Sequence, residues 1–125
     1  MKRRDLLSVM SVLSVLMLTL HISQDIVFGL DPAGLHHLFG VALLVVVLCG
    51  AVLLRDRRSG KVIMLLGGLM AAAMLPIHMR KGLRPEFLEK SGALLFVSAL
   101  YALGVIGLFS VILAIEALRD RRVAS

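Results

Sequence analysis

Tryptophan is missing from this chain, cysteine and tyrosine occur once each, proline three times, and only 18% of the residues are charged. A lone cysteine, Cys49, excludes an internal disulfide and the paired thiols of a membrane thiol oxidoreductase. Inside an apolar run it reads as a small packing residue. No polar linker is long enough to separate domains, so the 125 residues form one unit. No Ser/His/Asp triad, no metalloprotease helix and no phosphate-cradling glycine loop appears, which leaves no enzyme class indicated. The basic clusters are short, border apolar runs and lack interleaved aromatics, which argues against nucleic acid as a partner.

What the chain has is apolar length. Hydrophobic residues make up 59% of it and the mean hydropathy is +0.97, far above a soluble domain of this size. Four apolar runs, residues 6–28, 35–54, 62–79 and 92–117, each approach the ~20 residues that cross a hydrocarbon core of about 30 Å. The sequence therefore predicts an all-α, multi-pass membrane protein, a bundle of four transmembrane helices. Lys2, Arg3 and Arg4 precede the first run as in a secretory signal. No small-x-small cleavage pattern follows, so the run is expected to be retained.

Arginine and lysine set the expected orientation. Lys2, Arg3, Arg4, Arg55, Arg57, Arg58, Lys61, Arg119, Arg121 and Arg122 fall on one side. Arg80, Lys81, Arg84 and Lys90 fall on the other, offset by Asp25, Asp31, Glu86 and Glu89. The positive-inside tendency then puts both termini in the cytoplasm, with the protein in the cell membrane (the inner membrane of a bacterium). The net charge of +6 adds attraction to anionic headgroups.

Two hairpins can be laid over each other. Met17-Leu18-Thr19-Leu20-His21-Ile22 matches Met74-Leu75-Pro76-Ile77-His78-Met79, and Phe39, Ala42 and Leu43 match Phe96, Ala99 and Leu100 at the same spacing. A duplicated hairpin is one way such proteins are built, and it would make His21 and His78 equivalent. Depth gives the same pairing. At ~1.5 Å per residue, His21 lies about 22 Å from Leu6 and His78 about 24 Å from Val62. His36 and His37 open the second run just after a turn in which Asp31 is a plausible cap.

Helical periodicity then sorts faces. Ser11, Ser14, His21 and Asp25 share one stripe of the first run; Gly67, Ala71, Met74 and His78 share one of the third; Ser91, Ser98 and Tyr101 share one of the fourth. Small and hydroxylated residues are what membrane helices set against each other, so these stripes are expected to face the bundle. Gly67, Gly68, Gly104 and Gly107 are the expected close-packing positions, within the chain or against a second copy or partner membrane protein.

Ionisable groups in hydrocarbon are costly and mark candidate sites. His21, His78, Met17, Met74, Asp25, His36 and His37 form the candidate set. Two imidazoles could hold haem b axially, and a Met/His set would suit copper or another transition metal. Asp25, one turn from His21, could orient its ring. Against this, methionine is a common filler of apolar helices, and a histidine pair near the headgroups can simply hydrogen-bond. Three functions follow in order: a haem- or metal-binding membrane protein, an accessory subunit of a membrane complex without cofactor, and a proton-coupled transporter.

Overall fold

The computed structural model describes residues 2–30, 34–81 and 85–120, with the backbone alone of Lys81, Glu86 and Phe87. The elements are α1 (Arg3–Val27), α2 (His36–Val52), α3 (Arg58–Lys81), the single turn α4 (Pro85–Leu88) and α5 (Ala93–Arg119), with no strand among the described residues. Three helices are long and apolar enough to cross a membrane: Arg3–Val27, Arg58–Arg80 and Ala93–Arg119. α3 runs past its apolar stretch at both ends, α1 at its N-terminal end and α5 at its C-terminal end, in each case into charged residues.

The helix α2 is shorter than its sequence suggests. Its 17 residues rise only about 26 Å. The run expected to continue to Leu54 breaks at Leu53, whose N–H donates to the Cys49 carbonyl at 2.9 Å; the Leu54 N–H reaches the same carbonyl at 3.1 Å, and the Arg57 N–H bonds the Leu54 carbonyl at 2.9 Å. Gly60 packs directly over that tight turn, where no Cβ fits against the Leu54 carbonyl. The expected capping residue Asp31 lies outside the described residues; the N-cap position is Leu35, without a side-chain bond.

The C-terminal end of α1 is closed by a Schellman motif. The Leu30 N–H donates to the Asp25 carbonyl at 2.9 Å and the Gly29 N–H to the Ile26 carbonyl at 3.1 Å. Gly29 supplies the left-handed conformation, with φ 69°, that this motif requires. The turn carrying Asp25 is thereby pinned by its own backbone.

Successive long helices run antiparallel. At one end the Arg3 guanidinium lies 3.6 Å from both Glu116 and Asp120, Arg4 lies 2.9 Å from Asp56, and Arg55 lies 3.7 Å from Asp5. These pairs are substantially solvent-exposed, and each is worth at most about 1 kcal/mol. Beneath them Lys61 is buried, and its Nζ donates to the Ala117 carbonyl in the last turn of α5 at 2.9 Å. Around the bundle the order is α1, α2, α3, α5, with α1 also touching α3 across the middle; α3 and α5 form the most extensive pair, and among the described residues α2 meets only α1 and α3.

The core is stacked in three layers. Leu7, Ala51, Met64, Ala114 and Ala117 pack at the ion-paired end. Val15, Leu18, Leu44, Val47, Ala71 and Leu103 fill the middle, and Ala93, Phe96 and Leu100 the far end. The α3–α5 contact depends on glycine. A Cβ on Gly68 would sit 3.1 Å from the Gly107 carbonyl oxygen, and one on Gly107 would sit 2.8 Å from that of Gly68. Gly104 lies under Leu75 and Gly67 under Val47, whose side chain would be 2.7 Å from an added Cβ.

The expected stripe on α5 is corrected. Ser91, Ser98 and Tyr101 are all exposed, and the buried stripe is Phe96, Leu100, Leu103, Gly107, Ser110 and Ala114. Glycine and alanine on that side let α3 approach, whereas a stripe containing tyrosine would hold it away. On α1 and α3 the predicted faces do turn inward. Ser11, Ser14 and His21 are buried, as are Gly67 and Ala71. Ser14 and Ser110 meet across the core with their Oγ atoms 3.4 Å apart.

Candidate metal centre

Two helices supply the side chains of the candidate site. His21 and Asp25 stand one turn apart near the end of α1, and His78 comes from α3, two residues beyond Pro76. Proline removes the N–H that would bond the Ala72 carbonyl and crowds the preceding turn, yet α3 continues through it to Lys81.

The two imidazoles meet. Their ring centroids are 4.6 Å apart and their planes nearly perpendicular, at 78°. Asp25 faces both rings: Oδ2 lies 3.4 Å from His21 Nε2, and Oδ1 lies 3.8 Å from His78 Nε2. One ligand atom from each of His21, Asp25 and His78 can be chosen so that all lie within 4.8 Å of one another. His21 is only 2% exposed, and neither of its ring nitrogens has a hydrogen-bond partner among the described residues. Its Nε2 is close to Asp25 but not aligned for a hydrogen bond. A buried polar atom left unbonded is costly.

His78 is held differently. Its Nδ1 lies 3.0 Å from the Met74 carbonyl. A carbonyl only accepts, so this contact fixes the proton on Nδ1 and leaves the lone pair of the neutral ring on Nε2, the atom that faces Asp25.

An aromatic pair closes the site from the side of α5. The Phe96 ring lies 5.4 Å from that of His21 and 5.9 Å from that of His78, and it is fully buried. Phe28 packs edge-on against Phe96 at 5.9 Å. Phe28 in turn is seated on Gly92, where an added Cβ would stand 3.1 Å from its ring; Gly92 has φ +89° and is the N-cap of α5.

The other sequence candidates stand apart from this cluster. His36 and His37 stack on each other at 4.1 Å at the start of α2. Gly40 lies against Ile22, so the antiparallel register sets His36 and His37 at about the depth of Asp25. They are not in the group of three ligand atoms, His36 being exposed and His37 half-buried. Met17 packs against the middle core layer and Met74 against the middle and far layers; what Met74 brings to the site is its carbonyl. Glu89 is exposed, and the side chain of Glu86 lies outside the described residues.

Phe28, Phe96 and Gln24 were not among the expected site residues. Gln24 is buried beside Asp25, with its Oε1 lacking a hydrogen-bond partner among the described residues. A signal existed for it, since it stands three residues after His21 and one turn on. Phe96 had only its place in the hairpin match. Comparison with protein-family models, with curated proteins and with solved structures finds no match for this chain.

Proposed function

We propose that this protein is a small multi-pass membrane protein that binds a divalent transition-metal ion through His21, Asp25 and His78. The observation that carries the reading is His21. A buried imidazole with both nitrogens unbonded, facing a carboxylate and a second imidazole, is a ligand set lacking only its ion. Two neutral imidazoles and one carboxylate suit zinc, cobalt, nickel, copper or ferrous iron. The His78–Met74 contact is the kind of outer bond that fixes a ligating tautomer.

Haem b fits less well. Imidazoles on opposite faces of a haem are held apart by two metal–nitrogen bonds of about 2 Å each, and a flat slot must lie between them. Rings 4.6 Å apart and nearly perpendicular leave neither. A proton path is opposed by the layer of Leu18, Leu103 and Ala71, which separates the Ser14–Ser110 pair from the histidines. The accessory-subunit reading differs from ours only in predicting no ion.

In this reading α2 completes a fourth crossing, with the tilt of its neighbours and its flanking leucines making up the missing length. The charged end faces the cytoplasm and the metal site faces out. The match of His21 to His78 fits a duplicated hairpin, although α3 and α5 pack much more closely than α1 and α2. Protein purified in detergent and loaded with Zn2+, then dialysed, should retain one equivalent by elemental analysis. His21→Ala and His78→Ala should each reduce retention at least tenfold, and His37→Ala by less than twofold. Equal retention by wild type and His21→Ala would sink the proposal.

A further inference from the structure

We infer that Phe96 restricts the site to ions of low coordination number, so that its substrate class is Zn2+-like rather than Mn2+- or Mg2+-like. This rests on the metal-binding reading above and adds to it a selectivity that the three ligands alone do not have. Two histidines and a carboxylate on an open face accommodate six-coordinate ions, because water fills the remaining positions. Here one side of the site is not open.

The Phe96 ring lies against both imidazoles, at 5.4 and 5.9 Å, with none of its surface exposed. It comes from α5, whereas the ligands come from α1 and α3, so it walls the site from a third direction. Phe28 packs on its edge and is itself backed by the start of α5 at Gly92. Neither ring offers a lone pair, and together they exclude water from that side. Access remains beside His78 and Asp25, whose side chains are 19% and 16% exposed. An ion held by three protein atoms then has space for about one further ligand. Zn2+ and Co2+ are stable with four ligands; Mg2+ demands six oxygens and gives up its waters reluctantly, and an octahedral oxygen shell is likewise the preference of Mn2+.

Co2+ reports coordination directly, because four-coordinate complexes absorb in the visible several-fold more strongly than six-coordinate ones. The wild-type protein loaded with Co2+ should show the intense four-coordinate bands and should fail to retain Mn2+. Phe96→Ala should keep one equivalent of Co2+ while the band intensity falls at least threefold, and it should gain measurable Mn2+ retention. Phe96→Leu, which keeps the wall apolar and nearly full, should behave like wild type and guards against a folding defect in the alanine variant. Should Phe96→Ala not fold, Phe28→Ala is the substitute, and it should show the same fall in smaller degree. Six-coordinate Co2+ in the wild-type protein, or bands unchanged in whichever alanine variant folds, overturns the role of Phe96 and leaves the metal site standing. Failure of the wild type to retain Co2+ or Zn2+ overturns the site itself.

Discussion

His21 and His78 are the same residue type at matching positions, yet their surroundings give them different tasks. His78 has its Nδ1 tied to the carbonyl of Met74, and so only one nitrogen to offer. His21 has both nitrogens buried and without a hydrogen-bond partner among the described residues, and the nearby carboxylate is the group that can charge-balance an ion there. This separates two ways of reading the methionines. Spacing places Met17 and Met74 one turn from the histidines, and spacing alone makes their sulfurs candidate ligands. The structure packs both among apolar side chains. Met74→Leu preserves the carbonyl and nearly the volume, so retention of Zn2+ should stay within twofold of wild type. A tenfold loss in that dialysis measurement would make the thioether a ligand and shift the preferred metal toward Cu(I). The histidines and Asp25 were legible in the sequence because charge in an apolar run is conspicuous. Phe96 was not, because a phenylalanine in an apolar helix has no local mark that separates a wall of a site from ordinary core.

At the scale of the helices, the register of close contacts explains what could be read early. A periodic run of apolar residues reveals a helix, and it located α1, α3 and α5 to within a few residues of each end. The inward faces of α1 and α3 also followed from spacing, since each carries a distinctive polar or glycine stripe. On α5 the hydroxyls of Ser98 and Tyr101 pointed the wrong way as a guide; what decides its face is the path of α3, and that is a property of two helices together. Gly68 and Gly107 set that path. Gly68→Leu forces a side chain into the Gly107 backbone and Ser110 and should destabilise by about 1–3 kcal/mol, seen as a lowered unfolding midpoint in detergent. Ala73→Leu, on a half-buried position of the same helix, should cost clearly less. Equal midpoints for the two variants would show that α3 and α5 do not pack through Gly68.

At the scale of the whole molecule, the two ends differ in kind. One is ringed by Arg3, Arg4, Arg55, Asp5, Asp56, Glu116 and Asp120 in exposed ion pairs between helices. The other holds a three-residue cluster, His21 buried and Asp25 and His78 half-buried, walled by phenylalanine. Our orientation places the ion-paired end in the cytoplasm, because lysine and arginine in short loops are retained there. A reporter active only in the cytoplasm should therefore work when inserted in residues 55–61 and stay silent when inserted between Arg80 and Lys90. The reverse pattern would turn the proposed metal site inward. Charge asymmetry was readable from the sequence by counting. That the charges also knit α1, the α2–α3 turn and α5 together was not, because it depends on which helices are neighbours.

Those same ion pairs carry a further consequence. Arg3 opens α1 and Asp120 follows α5, and their side chains are 3.6 Å apart, so the bundle is almost a closed circuit of chain. A short polar bridge from the end of α5 to the start of α1 would span this gap, and a new beginning could be cut in the turn after α2, close by on the same side. The order of translation would then be α3, α4, α5, α1, α2, so the hairpin joined through Gly68 and Gly107 would emerge first. The half of the site on α3 would be made before the half on α1, and the two histidines would still come together.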